Sequence, residues 1–511
     1  MCQILQRMLS FRRMMQYLTE TFHFREDDKM KKCRIVATVG PACESPAMLE
    51  KIIRAGVDVC RLNSSFGTNE DRLAKIRNIR NISAVLRKPV AILQDLQGPK
   101  IRVGKLKEPV KVKKGETLIL TGGTEHTERL RLPTTYTCIA KDCEAGKIIL
   151  VADGRIILKV EKTDRRHDAV YCKVINGGEI LSGKGINLPY TKISLPALTE
   201  KDEADAVFGA EAGVDYIGMS FVRTPADVCR LKNLFRKIGK SVPVIAKIEK
   251  PEAVENIGAI LEVVDGVMVA RGDLAVELSY AKVPTAQKMI IHEANRRGKI
   301  TITATEMLSS MVENPLPTRA EVSDVANGVW DHSDCLMLSN ESAMGRYPVD
   351  SVKAMAQIIS DTEQEEKSVF RHGFTVIEAL DLPEARTPNE AVCKAAAKLS
   401  YELPVRGMVV ISSTGRTVRT LAKYRPAAPV YAFCFSEELY NRLGFCHNVC
   451  PILLPPSGEL TDEWISCIVR MKKLAKPGEQ MICLRGANIS EQWALQGLSI
   501  LTLPGGKGKK A

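Results

Sequence analysis

Short apolar runs recur between residues 33 and 338, and amphipathic stretches separate them. Runs of this length that are bounded by turn or charged residues are typical of strands buried on both faces of a parallel sheet. Eight such strands alternating with helices predict a closed (β/α)8 TIM barrel. The predicted strands are Cys33–Val39, Val57–Leu62, Val90–Gln94, Tyr216–Met219, Val244–Ile248, Gly266–Val269, Ile300–Ala304 and Cys335–Leu338. The predicted helices include Pro46–Arg54, Thr199–Glu211, Thr224–Ile238, Thr285–Arg297 and Arg319–Gly328.

The pattern changes between Pro99 and Pro189, where apolar and polar residues alternate with a period of two and Gly-rich turns intervene. This alternation predicts a small all-β insert. Because the insert leaves the barrel at its C-terminal rim, we expect a small β-barrel that acts as a lid. The alternating segments are Val110–Gly115, Thr117–Leu120, Lys147–Val151 and Ala169–Val174.

A second α/β pattern follows a charged, proline-containing stretch. A helix near Asn389–Leu403 and strands near Gly407–Ile411, Val430–Phe433, Met481–Leu484 and Leu498–Leu503 predict a separate domain of doubly wound type. The predicted division is a barrel over 30–98 and 190–361, a lid over 99–189, a linker over 362–388 and a C-terminal α/β regulatory domain over 389–511.

The first 29 residues fit no element of these domains. They carry Arg7, Arg12 and Arg13, and no acidic residue occurs before Leu18, which resembles an organellar transit peptide. The alternative is that Met30 is the true start and the leader an artefact of start-codon choice. We favour the artefact and expect a cytoplasmic protein, with organellar import if the leader is real.

Charge and cysteine content exclude several classes of protein. The net charge is +13, from 73 basic and 60 acidic residues, but aromatic residues are only 5% and do not interleave with the basic ones, so we expect no nucleic-acid partner. A small anionic substrate explains the balance equally well. No apolar run reaches membrane-spanning length, so we expect no membrane association. The 15 cysteines form no Cys-x-x-Cys pair, which indicates a reducing compartment.

Charged and polar residues follow three consecutive predicted strands. Lys247 and Glu249 end the first, Gly272 and Asp273 come after the second, and Thr305 follows the third. In a TIM barrel, the C-terminal ends of the strands carry the reacting groups. Two carboxylates suit a hard divalent cation, and an ammonium group offsets the charge of a moving phosphoryl group. The pattern therefore predicts phosphoryl transfer involving a metal-bound nucleotide.

From Lys31 onward the chain resembles the pyruvate kinase family. The matching segments include Ile35-Val-Ala-Thr-Val-Gly-Pro, Gln94-Asp-Leu-Gln-Gly-Pro-Lys-Ile-Arg, Met268-Val-Ala-Arg-Gly-Asp-Leu, Pro317-Thr-Arg-Ala-Glu-Val-Ser-Asp-Val-Ala-Asn and Met337-Leu-Ser-Asn-Glu-Ser-Ala. The resemblance implies transfer of a phosphoryl group from phosphoenolpyruvate to ADP, giving pyruvate and ATP, with Mg²⁺ or Mn²⁺ as cofactor. It also implies a homotetramer and an allosteric effector, either a sugar phosphate or a nucleotide.

The resemblance assigns roles residue by residue. Arg61, Lys247 and Thr305 are the implied catalytic residues, and they bind the substrate together with Gly272 and Asp273. The implied Mg²⁺ ligands are Glu249 and Asp273. The implied nucleotide-binding residues are Pro41, Asn63, Arg102 and Lys184, with Asp153 from the same lid.

Lys100 predicts independence from K⁺. Family members with lysine at this position, preceded by Leu96 and Gln97, are generally K⁺-independent, and we interpret the tethered ammonium as a substitute for the ion. Asn63, Ser65, Asp95 and Leu96 still match a monovalent-ion site, so weak K⁺ binding stays open.

The segment Ser412, Ser413, Thr414, Gly415, Arg416 and Thr417 links a predicted strand to a predicted helix. Hydroxyl groups, a glycine and backbone N–H groups form a plausible phosphate nest. An ordinary βα turn is the alternative. The effector loop of the family falls here, which favours an allosteric phosphate site of open identity.

Several residues depart from the family pattern, namely Ser64, Phe66, Ala275, Glu306, Asn340 and Ser342. They keep a second hypothesis open, that of a catalytically impaired metabolite sensor. A third, a phosphoenolpyruvate-using barrel with a phosphohistidine domain, is disfavoured by the seven unclustered histidines.

Overall fold

The computed structural model describes residues 31–123, 125–126, 128–369, 383–455, 461–486 and 495–504. The predicted leader over 1–29 and residues 370–382 of the predicted linker lie outside this range. None of the described helices is long and apolar enough to cross a membrane. The described cysteines are all free thiols.

Eight parallel strands close into the predicted barrel. Each strand pairs with its two neighbours, and the first pairs with the last, Arg34 standing opposite Cys335. The barrel strands are β1 (Arg34–Thr38), β2 (Val59–Asn63), β3 (Ala91–Asp95), β12 (Tyr216–Met219), β13 (Val244–Ile248), β14 (Gly266–Ala270), β15 (Ile300–Ala304) and β16 (Cys335–Leu338). The fold class predicted from the apolar runs is confirmed, and each predicted end lies within two residues of the observed one.

Helices cover the outside of the barrel and both faces of the C-terminal sheet, and a short helix, Ile139–Asp142, lies in the lid. They are α1 (Pro46–Ala55), α2 (Asn69–Leu86), α3 (Ile139–Asp142), α4 (Glu200–Glu211), α5 (Pro225–Lys237), α6 (Pro251–Glu255), α7 (Ile257–Val263), α8 (Arg271–Leu278), α9 (Val283–Arg296), α10 (Arg319–Trp330), α11 (Asn340–Ala343), α12 (Pro348–Val369), α13 (Pro388–Glu402), α14 (Arg416–Lys423), α15 (Glu437–Arg442) and α16 (Asp462–Met471). Side-chain caps explain several starts: the Thr199 hydroxyl accepts a hydrogen bond from Asp202 N, and the Asp202 carboxylate accepts one from Thr199 N.

The insert between β3 and β12 is the predicted β lid, and its sheet closes only half-way. Its six main strands run in the order β11-β7-β8-β9-β5-β6, and β4 pairs with β10. Single bridges from Arg102 and Val103 join the two edges of the sheet, next to β11 and at β6. The lid strands are β4 (Val110–Val112), β5 (Thr117–Gly122), β6 (Arg131–Thr134), β7 (Ile148–Val151), β8 (Ile156–Asp164), β9 (Ala169–Asn176), β10 (Gly178–Ile180) and β11 (Ile186–Asn187). The lid has a hydrophobic core of its own.

The C-terminal domain is a five-stranded sheet in the order β19-β18-β17-β20-β21, with only β21 antiparallel. Its strands are β17 (Gly407–Ile411), β18 (Val430–Cys434), β19 (Val449–Leu453), β20 (Gln480–Gly486) and β21 (Leu495–Thr502). Phe445 of this domain joins the apolar cluster inside the barrel and stacks 4.4 Å from the Tyr216 ring. The domain therefore closes the N-terminal end of the barrel and leaves the C-terminal end to the lid.

Candidate functional site

Lys247, at the C-terminal end of β13, is the centre of a buried charge cluster. Its Nζ donates to Ser220 Oγ at 2.8 Å and lies 2.9 Å from Glu249 Oε1 and 3.4 Å from Asp95 Oδ1. Burial alone would lower the pKa of Lys247, but the charges of Asp95 and Glu249 outweigh it and raise that pKa. The ammonium is therefore held charged, with a fixed position, at the mouth of the barrel.

The two predicted metal ligands flank this lysine. Glu249 is buried, and its Oε2 accepts a hydrogen bond of 2.8 Å from Phe221 N. Burial raises the pKa of Glu249, Lys247 opposes this, and the charge of Asp273 adds to it. A buried carboxylate with a second carboxylate near it favours a bound cation, so the pair fits a divalent metal ion. Among the described residues, no group of three or more His, Cys, Asp or Glu side chains is placed to hold a metal ion.

Arg61 lies in β2 and is held by a buried carboxylate. Its Nε donates to Asp95 Oδ2 at 2.7 Å, and its Nη2 lies 2.6 Å from the same oxygen. Its Nη1 donates to Thr38 Oγ1 at 2.9 Å. Asp95 thus contacts both Arg61 and Lys247. The arrangement brings two cations of the predicted phosphate site together on one anion.

Thr305 and Gly272 meet at the turn after β15. Gly272 N donates to Thr305 Oγ1 at 2.8 Å, and this hydroxyl donates to Ala304 O at 2.6 Å. Thr305 and Glu306 have φ angles of 66° and 55°, a left-handed conformation that residues with a side chain rarely adopt. Arg271 bonds to Thr305 O at 2.7 Å and to Asp324 at 2.7 Å, which holds the strained turn in place.

Lys100 reaches from the start of the lid into the cluster. Its Nζ donates to Asp273 Oδ1 at 3.0 Å. Burial would raise the pKa of Asp273, but the ammonium groups of Lys100 and Lys247 lower it. The residue predicted to replace a monovalent ion therefore lies beside a predicted metal ligand, and not on the lid surface.

The predicted nucleotide residues fall into two groups. Arg102 and Lys184 lie together in the lid, where Arg102 donates to Gly183 O at 3.0 Å and Val103 N donates to Lys184 O. Asn63 ends β2 and accepts a hydrogen bond of 3.0 Å from Ser65 N. Pro41 is exposed in the loop after β1. The structure thus distributes these residues between the barrel rim and the lid.

Two features escaped the sequence analysis. Ser220 and Thr38 position Lys247 and Arg61, but isolated hydroxyl residues at strand ends carry no distinctive sequence signal.

Lys250 and Glu277 form a buried ion pair of 2.8 Å, and Asn187 of the lid donates to the same Glu277 oxygen at 2.8 Å. Glu277 lies four residues after Asp273 in α8 and so lies near it on the helix surface. This pair joins the helix that carries Asp273 to the lid.

The departures from the family pattern have different structural settings. Ala275 lies inside α8, where the backbone is helical and a methyl group is tolerated. Phe66 is 74% exposed and packs against little. Ser342 donates to Thr38 O at 2.9 Å, close to the Arg61 site. Ala275 thus poses no steric problem, whereas Glu306 adds a carboxylate to a strained turn.

The predicted effector loop joins β17 to α14. Gly415 has φ +74°, and an added Cβ would approach Leu439 to 2.8 Å, so both conformation and packing require glycine. Ser412 Oγ accepts a hydrogen bond from Gly415 N at 2.8 Å, as in an ordinary capped turn. Ser413, Thr414 and Arg416 are exposed.

Comparison with known proteins agrees with this architecture. The family model of the pyruvate kinase barrel domain matches residues 30–352, and that of the pyruvate kinase alpha/beta domain matches residues 390–495. Pyruvate kinase 2 of Synechocystis is 42% identical over 83% of this chain and 71% of its own length. The pyruvate kinases of Staphylococcus saprophyticus and Staphylococcus aureus are 40% and 39% identical, each over 83% of this chain and 72% of the relative. With both domain models matched in order and such relatives covered over most of their length, the chain belongs to the pyruvate kinase family.

Proposed function

We propose that the buried cluster around Lys247 is where this enzyme transfers the phosphoryl group of phosphoenolpyruvate to ADP, giving pyruvate and ATP in the last step of glycolysis. The observation that carries the proposal is the Lys247 ammonium, which oxygens of Ser220, Asp95 and the predicted metal ligand Glu249 hold within 3.4 Å. A charge fixed in advance stabilises the charge that develops in the transition state without later reorganisation.

The residues have separate tasks in this proposal. The Arg61 guanidinium and the Lys247 ammonium bind the phosphoryl oxygens, while a β-phosphate oxygen of ADP forms the new P–O bond. The bond from phosphorus to the enol oxygen breaks, and Lys247 stabilises the enolate that is left. Thr305 relays a proton to the methylene carbon, which completes pyruvate. The Gly272 end of α8 faces the substrate carboxylate.

The pyruvate kinase family generally uses a divalent metal ion. In this chain, Glu249 and Asp273 would hold Mg²⁺ or Mn²⁺, which neutralises charge on the phosphate and carboxylate oxygens of the substrate. Lys100 donates to Asp273, and the pKa of Asp273 is lowered, so this ligand is ionised before the metal ion binds. ADP would lie between the barrel rim, with Pro41 and Asn63, and the lid, with Arg102 and Lys184.

Independence from K⁺ is the second part of the proposal. Of the predicted ion ligands, Asp95 is bound by Arg61 and Lys247, and Leu96 O accepts a hydrogen bond of 2.7 Å from Ser220 Oγ. Asp95 and Leu96 O therefore already have partners in the protein, while Asp95 Oδ1 accepts no hydrogen bond from the described residues. Lys100 supplies a cation of its own beside Asp273. The arrangement favours a site that needs no monovalent ion.

Pyruvate formation from phosphoenolpyruvate and ADP should therefore proceed in a buffer whose only monovalent cation is tetraalkylammonium. At fixed ionic strength, added K⁺ should raise kcat by less than about threefold, because the charge is already preorganised. Lys100→Glu should lower K⁺-free activity by about 10²-fold, since it replaces the cation beside Asp273 with a like charge.

The exposed lid residue Lys105 supplies the control. Lys105→Glu makes the same charge change in the lid, away from Asp273, and should keep K⁺-free activity near that of the parent. A rise of the parent enzyme from near zero on adding K⁺ would remove the proposed role of Lys100. Absence of pyruvate under every ionic condition would favour a metabolite sensor instead.

We also propose that the Ser412–Thr417 loop binds the phosphate of an allosteric effector. Support comes from the exposed hydroxyls of Ser413 and Thr414 at the N-terminus of α14, and from Arg419, whose guanidinium lies near Gly415. Helix N-termini favour anions. The bound group is a sugar phosphate or a nucleotide monophosphate, and the loop chemistry does not distinguish the two.

A panel of such phosphates should shift the phosphoenolpyruvate saturation curve of the parent at least about threefold, and Thr414→Glu should abolish that shift by charge repulsion. Thr461→Glu is the matched control, because it places the same charge at the start of α16 on the other face of the sheet. If no compound shifts the parent curve, or if Thr461→Glu abolishes the shift equally, the loop is an ordinary turn.

A homotetramer is the expected assembly. The exposed apolar residues Leu316, Val322 and Trp330 on and before α10 are 75%, 37% and 41% exposed, and a subunit interface would cover them.

A further inference from the structure

A cleft separates the N-terminal end of the barrel from the C-terminal domain, far from the residues around Lys247. It opens to solvent. Lys299 and Asp334 line it from the barrel, and Arg419, Lys423, Arg425 and His447 line it from the C-terminal domain. Four cationic side chains and one carboxylate thus face the same space.

Two of these cations have no carboxylate partner. Lys423 pairs with Glu390 at 3.0 Å, and Arg425 pairs with Asp334 at 2.8 Å. Lys299 instead donates to a backbone carbonyl, Val264 O, at 2.8 Å, and neither it nor Arg419 forms an ion pair with the described residues. Burial lowers the pKa of Lys299 more than the charge of Asp265 raises it, so the charged form of this side chain is penalised.

Two residues that line the cleft also carry buried polar atoms without a hydrogen-bond partner. Arg425 is 8% exposed, and although its outer nitrogens bind Asn295, His332 O and Asp334, its Nε has no partner. The buried Nδ1 of His447 has none either. Arg425 keeps this position with a left-handed φ of 47°. Buried polar atoms are normally satisfied, and the described residues satisfy neither of these two.

We propose that this cleft is a phosphate-binding site, occupied by inorganic phosphate or by the phosphate group of a small monoester. Two unpaired positive charges match a phosphate dianion, and the guanidinium of Arg419 fits oxyanion geometry. The site joins Lys299, which immediately precedes β15, to α14. An occupant would therefore link the C-terminal domain to the strand that leads to Thr305.

Calorimetric titration of the full chain with inorganic phosphate tests this site without relying on turnover. Phosphate can also bind at the catalytic cluster and at the Ser412–Thr417 loop, so the binding isotherm is expected to contain several components. The variants must show which component belongs to the cleft. Lys299→Gln should weaken one component at least about tenfold, because it removes a charge-assisted contact. Thr414→Glu should retain that component, and so should Lys353→Gln, which removes the charge of an exposed lysine on α12.

Arg419→Gln, on the opposite wall of the cleft, should weaken the same component as Lys299→Gln, and thermal unfolding without phosphate shows that both variants are folded. Titration with ribose 5-phosphate distinguishes the two ligand sources: tighter Lys299-dependent binding assigns the cleft to a monoester, and weaker binding assigns it to free phosphate. Equal phosphate binding by parent and Lys299→Gln would overturn the proposal. Loss in Arg419→Gln alone would also overturn it and place the anion at the loop.

Discussion

Lys247→Met should lower kcat for pyruvate formation by more than about 10³-fold, because one preorganised donor to a developing anion already contributes about 10²–10³ and this donor carries a full charge. The methionine side chain has similar length but leaves phosphoryl and enolate oxygens without their ammonium. Steady-state kinetics at saturating phosphoenolpyruvate and ADP measure the effect.

The variant also removes the partner of two buried carboxylates. Breaking a buried ion pair destabilises a protein by about 3–5 kcal/mol, so activity has to be compared with a variant that has the same defect. Lys250→Met is that control, because Lys250 is three residues away and its side chain is 8% exposed against 12% for Lys247. The substitution leaves Glu277 without its ion-pair partner. This control variant should lose comparable stability in thermal unfolding but less than about tenfold in kcat, because the charge of Lys250 acts on Asp273 only through space. Equal losses of kcat in the two variants would refute a chemical role for Lys247.

Glu249→Gln and Asp273→Asn should each raise the Mg²⁺ concentration for half-maximal activity by at least about tenfold, because hard cations prefer charged oxygen ligands. Binding of Mn²⁺, followed by electron paramagnetic resonance without substrate turnover, should weaken in parallel. Neutralising Asp273 also releases Lys100 from its ion pair, so this variant should show the larger change.

Glu277→Gln serves as the control for both substitutions. It neutralises a buried carboxylate one helical turn beyond Asp273, and it keeps an oxygen for Asn187 while weakening the pair with Lys250. Its Mg²⁺ requirement should stay within about threefold of the parent, since it offers no metal ligand. If the Mg²⁺ titration and Mn²⁺ binding changed in Glu277→Gln and not in the other two, the metal site would have to be moved toward the lid.

The barrel could be predicted from sequence because its strands are buried on both faces and therefore appear as uninterrupted apolar runs. The strand Val449–Leu453 could not, since Pro451 argues against a central strand. The structure places it at the edge of the sheet, where a missing N–H is tolerated. Helix α16 also escaped prediction, although Thr461 caps it in the usual way.

The positions of the predicted site residues followed from strand ends, but their pairing did not. Lys100 and Asp273 are 173 residues apart, and no spacing rule indicates their hydrogen bond. Asp95 was predicted only as a monovalent-ion ligand, whereas in the structure it holds both Arg61 and Lys247. Such contacts depend on which side chains the closed barrel and the lid bring into one space, which local sequence does not encode.

At the left-handed turn of Thr305 and Glu306, thermal stability and turnover favour different residue types. Each residue stores about 1–3 kcal/mol of backbone strain, which glycine would release. Repeated rounds of selection for survival at high temperature alone would therefore enrich glycine at these positions. The same replacement at Thr305 would remove the hydroxyl that bonds to Gly272, and with it the proposed proton relay. Adaptation of this enzyme to hotter conditions has to proceed through the lid, the helices and the surface, and leave this turn unchanged.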